Sequence, residues 1–97
     1  MMDKKYRQHG AFSWCELLTT DSNEAKQFYG KLFNWTFETA QTPGVDYNLV
    51  NHGGEQMGGI MDIPSIAKGM PPSWGVYVTV DDVDTTAKLA VEMGGKI

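Results

Sequence analysis

A strand followed by an acid-started helix occurs twice in this chain, and that repetition limits the fold more than any other feature. Phe12-Ser13-Trp14-Cys15-Glu16-Leu17-Leu18-Thr19 is rich in strand formers and runs into Thr20-Asp21-Ser22-Asn23, a helix-start signal. Sixty residues on, Ser73-Trp74-Gly75-Val76-Tyr77-Val78-Thr79-Val80 runs into Asp81-Asp82-Val83-Asp84. Ser13-Trp14 overlies Ser73-Trp74, Thr19 overlies Thr79, and Asp21 overlies Asp81. With two residues inserted, Ala25-Lys26 overlies Ala87-Lys88. Agreement of strand, cap, helix and Trp positions points to one duplicated supersecondary unit.

The first copy is longer. With Asp21 as N-cap, Glu24 falls at the third helical position, as in a capping box. Ala25, Phe28, Tyr29, Leu32 and Phe33 then form one apolar helical stripe, with Lys26, Gln27 and Lys31 opposite. Strands are predicted at 35–39, 46–50 and 56–61, with turns at Thr42-Pro43-Gly44 and Asn51-His52-Gly53-Gly54. Gly58 and Gly59 inside the last strand signal a bulge or the close approach of another group. The boundaries that follow are a flexible leader at 1–10, a first unit at 11–63, a Pro-rich linker at 64–72 and the start of a second unit at 73–97. In the second copy Val83, Ala87, Ala90 and Val91 make the apolar stripe, and Gly94-Gly95 ends the helix.

Charge and cysteine usage exclude several classes. The chain has 97 residues, enough for one core, and a net charge of −4. Lys4, Lys5 and Arg7 against Asp3 make the first ten residues basic, which leaves the body at −6. Such a body repels a phosphate backbone, so nucleic acid is not an expected partner. The longest uncharged stretch, Gly69 to Val80, is too short for a membrane span and contains two prolines. Cys15 is the single cysteine and cannot form an internal disulfide; with no apolar leader segment, the expected compartment is the cytoplasm.

Two βαβββ units joined by a Pro-rich linker resemble the vicinal oxygen chelate superfamily, the glyoxalase I, bleomycin-resistance and extradiol-dioxygenase group. The resemblance rests on Trp14-Cys15-Glu16-Leu17 leading to Asp21, on Ala25-x-x-Phe28-Tyr29, and on Leu32-Phe33-x-Trp35. In the second unit it rests on Trp74-Gly75-Val76-Tyr77-Val78, Asp81-Asp82-Val83-Asp84 and Gly94-Gly95. It implies an α+β fold of paired βαβββ modules whose sheets curl into an open cup, here with an incomplete second module. Unpaired strand edges then imply a homodimer, with exchanged elements as one way to form it. Metal-dependent members place His, Gln or Glu ligands on the first and closing strands of each module. Carried over by position, the first-strand sites fall at Trp14 and Trp74, and an indole N–H cannot coordinate a cation. Gln56, Met57 and Glu55 lie near the closing-strand height of the first module, too few for a set of three or four donors. The expectation is no metal and no cofactor, with a divalent metal as the alternative.

Trp14 and Trp74 are expected to face the cup as flat walls for a planar or apolar ligand, or else to close the space by packing. Tyr47, Met57 and Met61 are expected on the cup wall as further ligand-binding residues, although Met fills ordinary cores equally well. Glu16 alternates onto the face of Trp14 and Leu18. A carboxylate flanked by apolar groups would have a raised pKa and could act as general acid or base; the plainer role is a partner for Lys or Arg. Cys15, on the opposite face, reads as a buried, inert thiol, and His9 and His52 as exposed bystanders. Two functions stay open: a metal-free small-molecule-binding protein, or a lyase or isomerase acting on a small oxygenated metabolite with Glu16 as base.

Overall fold

The computed structural model describes residues 7–40, 44 and 46–97; the expected turn at Thr42-Pro43 and the first six residues of the leader lie outside them. Five strands form: β1 (Phe12–Thr19), β2 (Thr36–Thr39), β3 (Tyr47–His52), β4 (Glu55–Asp62) and β5 (Ser73–Val78), with β-branched and aromatic residues frequent in β1, β2 and β5. The helices are α1 (Ser22–Phe33) and α2 (Val83–Glu92), and a single 3₁₀ turn at Ser65–Ala67 interrupts the linker. One open mixed sheet results, in the order β2-β3-β4-β1-β5. β1 runs parallel to β4 and antiparallel to β5, so the two copies of the repeat meet along their first strands. This is an α+β, glyoxalase-like architecture with one complete βαβββ module.

α1 is fixed at both ends of its first turn. Asp21 accepts a hydrogen bond from the backbone N–H of Glu24 at 3.0 Å, and Asp62 of β4 accepts one from the N–H of Ser22 at 2.8 Å. Asn34 ends the helix in the left-handed conformation. Beneath it Leu17, Val50 and Ile60, from three adjacent strands, form the buried core, with Ala25, Tyr29, Trp35, Phe37 and Met57 packed around it. Buried Asn48 is fully engaged: its amide donates to the carbonyl of Ile60, and its oxygen accepts from Lys26. The outer half of the expected stripe is not covered, since Phe28, Leu32 and Phe33 are exposed.

The second copy forms its elements without forming a core. Asp82, within the expected start signal Asp81-Asp82-Val83-Asp84, caps α2 by accepting from the N–H of Thr85 at 3.0 Å. Gly94 takes a positive φ of 97° just past the helix end, as an αL terminator does. All six residues of β5 are exposed, and no residue of α2 is buried. Of the leader, Gly10 bonds its N–H to the carbonyl of Thr79, and His9 Nδ1 accepts from the N–H of Asp81. No helix among the described residues is long and apolar enough to cross a membrane.

Candidate functional site

β1 and β5 pair with Trp14 opposite Tyr77, Glu16 opposite Gly75 and Leu17 opposite Trp74. Paired residues of an antiparallel ladder share a face, so this register decides which residues can meet. β1 begins at Phe12 and β5 at Ser73, and α1 begins at Ser22 and α2 at Val83. The structural repeat is thus sixty-one residues throughout, one more than the sequence alignment uses for the strands and one fewer than it uses for the helices. A one-residue slip moves a whole strand's side chains to the opposite face. The counterpart of Trp14 is therefore Gly75, and the counterpart of Glu16 is Tyr77. Trp74 stands on the α1 face, which corrects its expected place on the cup.

On the cup face, away from α1, a polar network centres on Glu16. Tyr47 donates its hydroxyl to Glu16 Oε2 at 2.6 Å, and Tyr77 donates to Oε1 at 3.0 Å. Trp14 in turn donates its indole N–H to the Tyr47 oxygen at 2.8 Å. The carboxylate is thus met by two phenols, rather than by the apolar flanks expected from its own strand. Burial and the bond to Glu16 push the Tyr47 hydroxyl well above the usual phenol range. The bond to Glu16, then burial, raises Tyr77 as well. Both phenols hold their protons and act as donors.

Gly59 makes the network possible. A side-chain carbon there would overlap the ring and hydroxyl of Tyr47, so the ring lies across the bare Gly59 backbone and reaches β1. Gly58 serves the other face, where an added Cβ would stand 2.5 Å from the Cys15 carbonyl oxygen. Met61, in register with both Leu18 and Tyr47, shares the cup face. Met57 does not. Val50 pairs with Gly58 while Asn51 pairs with Gln56, so Met57 is the extra residue of a bulge and packs into the core beneath α1. The structure brings Trp14, Glu16, Tyr47 and Met61 together and sends Met57 and Trp74 to the opposite face. Tyr77 is the member that the sequence reading missed; aligning the two helix caps, Asp21 with Asp82, would have revealed it as the counterpart of Glu16 in the repeat.

The α1 face holds a different environment. Trp74 donates its indole N–H to the Tyr29 hydroxyl at 3.2 Å and meets Trp35 edge-on at 6.1 Å. Beside this cluster is an open apolar cavity of about 420 Å³, lined by Cys15, Trp35, Val50, Met57, Trp74 and Val76 among others. Cys15 is exposed there rather than buried, because β5 carries no helix over it. His52 and Glu55 stand exposed opposite each other at the β3–β4 hairpin.

The donor set does not suit a metal. Of the two first-strand positions, Trp14 offers only an indole N–H that is already donated, and Gly75 has no side chain. The phenols beside Glu16 are held protonated, and a neutral phenol is a poor ligand. Among the described residues, no three His, Cys, Asp or Glu side chains come together as a potential metal centre.

Residues 11–97 match the family model described as the Glyoxalase/Bleomycin resistance protein/Dioxygenase superfamily. Over 96 residues the chain is 40% identical to proteins named "Putative glyoxylase CFP32" from Mycobacterium bovis and Mycobacterium tuberculosis. It is 27% identical over 88 residues to the "Anthracycline biosynthesis protein DnrV" of Streptomyces peucetius. These stretches are 96% and 91% of this chain but only 36% and 32% of the relatives, so the chain spans about a third of their length. With its β1–β5 pairing and its βαβββ module, the chain belongs to the Glyoxalase/Bleomycin resistance protein/Dioxygenase superfamily.

Proposed function

We propose that the chain is a metal-free small-molecule-binding protein of the glyoxalase/bleomycin-resistance type, working in the cytoplasm and holding its ligand on the cup face of the sheet. The observation that carries this reading is the network of Trp14, Tyr47 and Tyr77 around Glu16. It fills the place from which metal-dependent relatives would draw first-strand ligands, and it fills it with groups that bind organic molecules. Aromatic rings supply flat apolar area, and a carboxylate fixes the orientation of a polar group. Leu18 and Met61, on the same face, extend the apolar floor.

A second reading keeps Glu16 as the general base of a lyase or isomerase acting on a small oxygenated metabolite. It draws on the lone pairs that Glu16 retains after accepting two hydrogen bonds, and on the name carried by the mycobacterial relatives. We further propose that the chain pairs as a homodimer, with exchanged elements as one route. The exposed edge of β5 and the exposed Val83, Leu89 and Val91 of α2 support this. A light-scattering dilution series tests it, and a monomer persisting at micromolar concentration would end it.

Native mass spectrometry tests the binding reading. The protein is measured alone, with zinc, nickel and manganese salts, and after exposure to a low-mass metabolite extract. The expected result is a small organic adduct from the extract, lost in Trp14→Ala, and no stoichiometric metal. A retained metal ion would overturn the metal-free reading. Progressive consumption of one extract component, abolished by Glu16→Gln, would establish the enzyme instead.

A further inference from the structure

The hydrogens of the cup-face network are all spent inside it. Trp14 donates to Tyr47, Tyr47 donates to Glu16, and Tyr77 donates to the other oxygen of Glu16. What the network still offers outward is acceptor capacity: the remaining lone pairs of the carboxylate and those of the Tyr77 hydroxyl. An anion or a carbonyl oxygen approaching Glu16 meets no free donor there. A group that brings its own hydrogens meets two kinds of acceptor.

Charge narrows the choice further. The five strands contain Glu16, Glu38, Glu55 and Asp62 but no Lys or Arg. Glu38 pairs with Leu49, which pairs with Gly59, so Glu38 shares the cup face with Glu16. Lys26, the basic side chain bonded to the sheet, is on the opposite face, held by Asn48. Among the described residues Glu16 has no cationic partner within ion-pair distance. A partly buried carboxylate ringed by Trp14, Tyr47 and Tyr77 resembles in chemistry the aromatic surroundings in which organic cations are bound.

We infer that the cup-face site selects a small ligand bearing a primary ammonium group, which would bond to Glu16 and the Tyr77 oxygen while its apolar part rests on Trp14, Tyr47 and Met61. This rests on the proposed reading of the cup face as a binding site. It adds the ligand's chemical class. Charge-assisted N–H⁺···O⁻ bonds are short and strong, and the ring faces tolerate the attached carbon skeleton.

Three probes of one shape and different charge test this: 2-phenylethylammonium, 2-phenylethanol and phenylacetate. Each is titrated into the ¹⁵N-labelled full chain while the indole N–H resonances of Trp14 and Trp74 are followed. The ammonium is expected to shift Trp14 saturably, with Trp74 unmoved, and to bind roughly tenfold or more tighter than the alcohol. Phenylacetate is expected to bind weakest. Glu16→Gln should cost the ammonium at least that factor and erase the ranking. Equal or tighter binding of the alcohol or phenylacetate at Trp14 would overturn the ammonium inference while leaving the cup-face binding reading intact. Failure of all three probes to move Trp14 at millimolar concentration would overturn it too, and the metabolite-extract measurement would then decide the binding reading separately. Because the ranking is read in the wild-type protein, it holds even if the Glu16 variant misfolds.

Discussion

β1–α1 and β5–α2 are built from the same local signals, a strand followed by a helix capped on an aspartate. Yet Leu17 on β1 is 6% exposed, whereas Val76 on β5 is 65% exposed. The difference lies in what arrives from elsewhere in the chain. β1 is flanked on one side by β4 and roofed by α1, whose first turn is tied to β4 through Asp62. β5 has β1 on one side and, among the described residues, no strand on the other. Caps and periodicity make elements, but partners distant in sequence make a core.

The comparison can be broken most sharply by removing apolar bulk on both sides of it. Ile60→Ala, at a fully buried site, should lower unfolding free energy by about 2–5 kcal/mol in a urea titration. Leu89→Ala on α2, where half the residue is exposed, should stay within about 0.5 kcal/mol. Similar costs for the two would mean that α2 is packed in solution.

Glycines give the next contrast. Gly59→Ala drives a methyl group into Tyr47 and should cost about 1–3 kcal/mol. Gly75→Ala, whose Cβ would meet nothing nearer than the Glu16 carbonyl oxygen at 3.9 Å, should be close to neutral in the same titration. A smaller contrast comes from the caps. Asp21→Ala and Asp82→Ala each remove a bond worth roughly 1 kcal/mol. The first should lower global stability, while the second should speed amide exchange within α2 and leave the urea midpoint in place.

The smallest effect at neutral pH becomes visible in alkali. Tyr47 and Tyr77 are both raised, so the folded state keeps protons that the unfolded state releases above about pH 10. Stability present below that pH should decline as the pH climbs beyond it, and Tyr47→Phe should flatten the decline. Ultraviolet difference titration of the four tyrosines should show the wild-type curve displaced upward relative to that variant.

The elements were legible because they are local. Asp21 and Glu24, the spacing of Ala25 and Tyr29, and the Gly53-Gly54 turn mark their own conformations within a few residues. The close approach at Gly58 and Gly59 was legible as a signal, but not the identity of the approaching groups. Which face a side chain takes depends on register, and register is a long-range quantity. The alignment on Ser-Trp made Trp74 the counterpart of Trp14; the one-residue difference in offset gives that place to Gly75 and turns Trp74 to the other face. The bulge that turns Met57 inward has no signature in the strand itself. Glu16 was visible as a carboxylate on an apolar strand, while its phenol partners come from thirty-one and sixty-one residues away.

The central claim is that the two indoles lie on opposite faces of the sheet, with Trp14 alone belonging to the Glu16 network. Through-space proton contacts from the two indole N–H groups of the labelled protein test it most directly. The account predicts contacts from Trp14 to the ring of Tyr47, and from Trp74 to the rings of Tyr29 and Trp35. Contacts from Trp74 to Tyr47 or Gly59 would put both tryptophans in the cup and contradict it.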